Sequence, residues 1–237
     1  MSLKYRMPVD FANVCRRLLL QTREMVERGV FEFFKGEEVT VIDLMRHGEP
    51  VGGELIRGHR DDPLSQTGWK QMWAAAQDSR PWQRIITSPL TRCANFALEL
   101  GREMKIPVLQ EGRLREIGFG EWEGVDLATL YRRCPKAVNR FWADPEHNPP
   151  PGGEYFPNFQ ARVSAALDGI IHDFEGEHVL VVCHGAVIRM IIALVLGMPT
   201  DRLFRLEVPY AAVSRILVER SVPRLSFHCG SCWPAVG

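Results

Sequence analysis

Between residues 39 and 228 the chain alternates short, almost wholly apolar runs with longer stretches in which apolar residues recur every three or four positions. The first kind predicts strands buried on both faces, and the second predicts helices with one side turned to a core. Apolar runs fall at 39–45, 84–87 and 178–183. A shorter one lies at 106–109, where Pro107 places the strand at a sheet edge. Helical spacing appears at 67–77, 90–100, 159–174 and 186–196, with shorter helices at 127–131 and 136–142. Ser88 reads as the cap of the 90–100 helix, with Pro89 at its first position. Segments 208–218 and 224–228 predict closing strands. Strand and helix in alternation specify an α/β fold, an open, largely parallel sheet with helices on both faces. Residues 118–157 are rich in Gly, Pro and aromatic side chains and are broken by Pro149-Pro150-Pro151-Gly152-Gly153. They predict a small cap-like insert over the strand C-termini.

Residues 1–38 stand apart. With Asp10 as N-cap, Phe11, Val14, Cys15, Leu18 and Met25 share one helical face until Gly29 ends the run. The expected organisation is a helical extension (1–38), a main domain (39–220) and a closing strand and tail (221–237). The extension packs on the main domain or meets a second copy, so monomer and homodimer both stay open.

Composition narrows the functional classes. Lys and Arg total 29 and so do Asp and Glu, giving a formal net charge of zero. A general nucleic-acid binder carries a basic excess, so no nucleic-acid partner is expected and any anion must be held by a local cation cluster. No apolar run approaches the roughly 18–20 residues of a membrane helix. Neither does a signal-peptide pattern follow Lys4 and Arg6. Six cysteines, mostly isolated in apolar settings, suit a reducing cytoplasm. Cys229-Gly-Ser-Cys232 has no second pair at zinc spacing, which favours an exposed tail over a metal site.

The candidate chemistry lies just beyond the buried strands. Arg46-His47-Gly48-Glu49 follows the first, Arg92 opens the helix after the second, and His184-Gly185 follows the third. In an open α/β sheet ligands bind at the carboxyl ends of the strands, so two imidazoles and two guanidiniums are expected to converge there, beside helix N-termini. That set suits a phosphoryl dianion. Arginine matches two phosphate oxygens at once, a neutral histidine carries a nucleophilic lone pair, and a protonated one stabilises equatorial oxygens. Spacing alone also leaves open a catalytic zinc that drafts Asp43 or Glu49, and it supplies no proton donor.

The string Leu44-Met45-Arg46-His47-Gly48-Glu49 resembles the signature of the histidine phosphatase, or phosphoglycerate-mutase-like, superfamily. Further segments resemble its pattern in order: Asp62-Pro-Leu-Ser-Gln-Thr-Gly68, Thr87-Ser-Pro-Leu-Thr-Arg92-Cys-Ala94, Leu114-Arg-Glu116-Ile-Gly-Phe-Gly-Glu-Trp-Glu-Gly124, Pro151-Gly-Gly-Glu154 and Val181-Val-Cys-His184-Gly185. The resemblance runs over about 39–218. It implies a metal-independent and cofactor-free phosphomonoesterase with His47 as the phosphorylated nucleophile and His184 as its charged partner. Arg46 and Arg92 hold the phosphoryl oxygens, and Glu116 is the acid that protonates the leaving oxygen. That last role calls for a protonated carboxyl, which a bound dianion favours. Trp122 and Glu123 are read as shaping the acid-bearing loop.

One departure concerns the family's phosphate-binding Asn, which has no counterpart in 50–58. Arg57, or the amides around Gly52 and Gly53, are the expected substitutes. The expected partner is a small phosphomonoester. Within the family, Arg57-Gly58 ahead of Asp62-Pro-Leu64, the run 92–97 and Phe119–Gly124 are most similar to α-ribazole phosphatases, with Phe141, Trp142, Tyr155 and Phe156 available to stack on a benzimidazole. Broad-specificity or sugar-phosphate hydrolysis, a phosphoglycerate mutase and an inactive phosphate-binding module are the alternatives.

Overall fold

A computed structural model describes residues 39–77 and 81–230 of the chain. The expected helix at 1–38 and the tail containing Cys232 lie outside the described residues. Six strands form one sheet in the order β3-β2-β4-β1-β5-β6. They are β1 (Thr40–Arg46), β2 (Arg84–Thr87), β3 (Val108–Gln110), β4 (His178–Cys183), β5 (Val213–Glu219) and β6 (Val222–Gly230). The pairs β1–β4, β4–β2 and β2–β3 are parallel, whereas β5 and β6 close the sheet antiparallel. Among the described residues six α-helices interleave with the strands: α1 (Gln66–Ala75), α2 (Thr91–Met104), α3 (Leu127–Arg133), α4 (Pro135–Ala143), α5 (Phe156–Asp173) and α6 (Gly185–Leu196).

Alternation along the central strands separates two cores. Val179 and Val181 of β4, with Ile42 and Leu44 of β1, pack among Phe159, Val163 and Leu167 of α5 and Ile188, Ile191 and Ile192 of α6. Leu180, Val182 and Met45 face the other way, against Met72 of α1 and Cys93, Phe96 and Leu100 of α2. Both faces of β4 are thus buried, which explains a run with no polar position between His178 and His184. The insert contributes Phe119, Trp122, Leu130, Val138 and Phe141 to the first core. Among the described residues no helix is long and apolar enough to cross a membrane.

Three local expectations are corrected. The strand expected from 208 begins only at Val213. Pro209 offers no N–H and Ala211 takes a left-handed φ of 54°. The residues before β5 instead pair with the end of β1, Arg46 N donating to Ala212 O and Ala211 N to His47 O. Ser88 is not the helix cap: α2 starts at Thr91, whose N–H donates to Asp61 Oδ1 at 2.6 Å from a separate loop. The edge strand β3 starts at Val108, after Lys105 closes α2 in the left-handed region.

One buried ionic cluster ties the sheet together. Asp43, in mid-β1, accepts from Arg215 Nε (2.7 Å) and Nη2 (3.0 Å) on β5 and from Trp82 Nε1 (2.8 Å), and its Oδ2 lies 2.8 Å from His178 Nε2 on β4. These commitments remove Asp43 from any metal role at the strand ends. Asp43→Ala strips a shared acceptor from all three partners. It is expected to lower unfolding stability in denaturant by about 3 kcal/mol or more, the usual cost of breaking a buried ion pair from one side. A loss below about 1 kcal/mol would show the cluster to be incidental.

Candidate active site

Parallel pairing sets the site. Arg46 lies opposite Cys183, and Met45 is level with Val182, itself level with Thr87. The first residues past the ends of the three strands, His47, His184 and Ser88, therefore emerge at one rim. The His47 and His184 rings meet edge to face with centroids 5.2 Å apart. The loop from His47 turns back tightly onto the start of α1. A Cβ at Gly48 would sit 2.2 Å from Gly68 O, and one at Gly68 would sit 2.1 Å from Glu49 O. Only glycine at both positions permits that crossing.

The His47 tautomer follows from one contact. Nδ1 lies 2.8 Å from Gly48 O. A carbonyl only accepts, so Nδ1 carries the hydrogen and Nε2 keeps its lone pair. Burial, reinforced by Arg46 and then Arg92, holds the His47 pKa well below 6.5, so the ring is neutral and nucleophilic. His184 shares a 2.7 Å hydrogen bond between Nε2 and Ser88 Oγ, and burial followed by Arg92 pushes its pKa down as well. These surroundings favour a neutral His184, not the imidazolium expected from the sequence.

Two guanidiniums border the imidazoles. Arg92 is fully buried and anchored through Nη1 to Arg60 O (2.8 Å) and Nη2 to Gly58 O (2.9 Å). Arg46 donates to Val208 O, and its Cζ lies 4.3 Å from the Tyr210 ring centroid. Among the described residues, Nε of Arg46 and Nε of Arg92 are buried without a hydrogen-bond partner. Such donors are costly to leave unmet, and both belong to the residues expected to grip phosphate.

Glu116 is buried at the same rim. Its Oε1 accepts from Ile117 N at 3.1 Å, and its Oε2 accepts from Ala186 N at 3.3 Å in the first turn of α6. Arg162 fixes the loop that carries it. That guanidinium donates to the carbonyls of Arg113, Arg115 and Glu116 and clasps Glu154, whose Oε2 also takes Gly118 N. The sequence pointed to Glu154 through its motif, but neither Arg162 nor Tyr210 belonged to any motif.

Arg57 behaves otherwise than expected. Nε donates to Asp62 (2.9 Å), Nη1 to Gly53 O (2.8 Å) and Leu55 O (3.2 Å), and Nη2 to Val51 O (2.6 Å). Four of its five N–H donors are taken by Asp62 and the carbonyls of loop 51–55, so it braces the wall of the cavity that it also lines. The expected aromatic stackers also divide. A cavity of about 730 Å³ opens beside Arg46, Glu116 and Gly185, and Trp142 lines it together with Phe119 and Phe204. Phe141 and Phe156 are core residues, and Tyr155 is exposed away from the cavity lining. The charged residues on this wall include Arg189, Asp201 and Arg205.

The chain is also similar to known proteins. A family model described as the histidine phosphatase superfamily (branch 1) matches residues 42–229. The bifunctional protein Rv2228c of Mycobacterium tuberculosis is 34% identical over 176 residues, covering 72% of this chain and 48% of that protein. The chain thus spans about half the length of the mycobacterial relatives it matches. Phosphoserine phosphatase 1 of Hydrogenobacter thermophilus is 30% identical over 182 residues, covering 74% and 85% of the two chains. The α-ribazole phosphatase of Shigella flexneri superimposes with a TM-score of 0.73 over 83% of this chain and 100% of that one. At 24% identity that is a likeness of fold.

The lowered imidazole pKa values carry a stability signature. Below pH 6.5 the unfolded chain protonates His47 and His184 while the folded chain does not. Their contribution to stability should therefore fall as pH drops from about 6.5 toward 5. Denaturant unfolding across that range should show the decline in the wild type and a shallower one in a His47→Gln/His184→Gln double variant. Equal slopes would mean that the rings are not held neutral.

Proposed function

This chain belongs to the histidine phosphatase superfamily, branch 1, and from that premise we propose that it is a metal-independent phosphomonoesterase working through a phosphohistidine on His47. The observation that carries the reading is the neutral, Nδ1-protonated His47 set beside the guanidiniums of Arg46 and Arg92, whose buried Nε atoms have no protein partner. In the first step His47 Nε2 bonds to phosphorus as the ester P–O bond breaks. Arg46, Arg92 and His184 bind the three equatorial oxygens, where charge accumulates in the transition state. Gly48 O keeps hold of the Nδ1 proton, which stabilises the phosphorylated ring. Glu116 delivers its proton to the leaving oxygen. In the second step water gives a proton to Glu116 and its oxygen to phosphorus, the P–N bond breaks, and inorganic phosphate departs.

Hydrolysis rather than mutase chemistry is supported by the likeness of the 118–124 loop to the phosphatase branch of the family. An inactive binding module has no use for Glu116 beside an intact His47, His184, Arg46 and Arg92. For the substrate we infer α-ribazole 5′-phosphate. The support is the similarity of the 57–64, 92–97 and 119–124 segments, together with a cavity walled by Phe119, Trp142 and Phe204. Each good ring contact of that kind is worth about 0.5–1.5 kcal/mol. Asp201 and Arg205 on the same cavity wall offer partners to ribose hydroxyls.

Glu116→Gln is expected to slow single-turnover cleavage of alkyl phosphates by about 10²–10⁴-fold. p-Nitrophenyl phosphate, whose leaving group needs no proton, should lose much less in the phosphorylation step. An equal loss across leaving groups would assign the proton to another residue. For specificity, kcat/KM for α-ribazole 5′-phosphate should exceed that for phosphoserine, sugar phosphates and nucleoside monophosphates by at least about tenfold, a discrimination of roughly 1.4 kcal/mol. A smaller margin, or phosphoserine in first place, would overturn the substrate while leaving the hydrolase reading intact.

A further inference from the structure

We propose that Glu123 is a positioning residue that ties the phosphate-gripping Arg92 to the loop carrying the acid Glu116, so that phosphate grip and proton donor are held as one unit. The inference rests on the phosphatase reading of the site and adds a residue to it. Glu123 is half-buried and its carboxylate accepts three backbone N–H bonds from two separate loops. Oε1 takes His59 N and Phe119 N, each at 2.9 Å, and Oε2 takes Arg60 N at 2.7 Å. The first loop matters because its carbonyls, Gly58 O and Arg60 O, are the two anchors of the Arg92 guanidinium. The second starts at Glu116 and runs through Ile117 and Gly118 to Phe119.

The approach of the two loops leaves no spare room. A Cβ at residue 58 would fall 2.2 Å from Glu123 Oε1, 2.5 Å from Ile117 O and 2.7 Å from Phe119 N, so Gly58 is required for the carboxylate to bridge them. A neutral amide cannot replace it. Gln at 123 keeps one acceptor oxygen but points an NH₂ group at the donors of the other, so one of the two loops loses its bond to residue 123. Charge-assisted bonds to a carboxylate are also the stronger kind, which suits a group that must hold two loops at once.

Orthovanadate, a phosphate-shaped anion, is the probe. Glu123→Gln should weaken its binding by about tenfold, the scale set by losing one charge-assisted bond to the loop that anchors Arg92. In an Arg92→Lys background, where the fork that uses Gly58 O and Arg60 O is gone, the same substitution should cost less than about twofold. Thermal midpoints measured alongside separate this from general loosening, since a purely structural role would give the same penalty in both backgrounds. That multiplicative result would overturn the proposal. A second measurement needs no variant: in the wild type, amide exchange at His59, Arg60 and Phe119 should slow together on adding orthovanadate. Slowing at 59–60 with none at 119 would also overturn it. Should the wild type neither bind orthovanadate nor turn over any phosphomonoester, the phosphatase reading itself fails, and this inference with it.

Discussion

In a parallel sheet each strand delivers its next residue to the same edge, and β1, β4 and β2 lie side by side with Met45, Val182 and Thr87 level. This backbone register is the constraint on which the chemistry depends. It brings His47, His184 and Ser88 to one rim without any long side chain having to reach. It also starts α6 at Gly185, so that the first amides of that helix face the acid loop, where Glu116 accepts from Ala186 N. A slip of one residue in the β1–β4 register would turn His47 to the other face of the sheet. Burial of both faces of β4, from His178 to Cys183, is what fixes the register against such a slip.

Burial then decides the protonation states. Arg92 and His184 are fully excluded from water and His47 nearly so. Burial drives the imidazoles neutral, and the neighbouring Arg46 and Arg92 guanidiniums act in the same direction. The result is a pocket rich in fixed positive charge with one free lone pair inside it, an arrangement that favours a phosphoryl dianion over any neutral ligand. The surrounding carboxylates are kept from cancelling that charge by commitments elsewhere: Glu154 to Arg162, Asp62 to Arg57 and Arg60, Asp43 to Arg215.

The strand runs and the residues just past them were legible because burial on two faces leaves a continuous apolar signal, and because His47, Arg92 and His184 follow such runs directly. Glu116 was legible only through its motif, since nothing in spacing separates it from a surface carboxylate beside Arg113 and Arg115. The contacts of Arg57 were not legible for a related reason: composition shows a cation near the site but not that the carbonyls of Val51, Gly53 and Leu55 take most of its donors. The same holds for Phe141 and Phe156, aromatics whose burial depends on the long-range packing of the insert. Tyr210 and Arg162 reach the site from distant parts of the chain, so no local pattern could have announced them. Pro209 breaks the run that was expected to be strand from 208, and the loop it creates is what carries Tyr210 over Arg46.

The central claim is that His47 carries the phosphoryl group. A single-turnover reaction with a phosphate-labelled monoester, quenched in base and mapped by peptide, tests it most directly. The account predicts acid-labile, base-stable label on the peptide containing His47, absent from His47→Asn. Label on any other residue, or full turnover with no labelled protein in the first turnover, would contradict it.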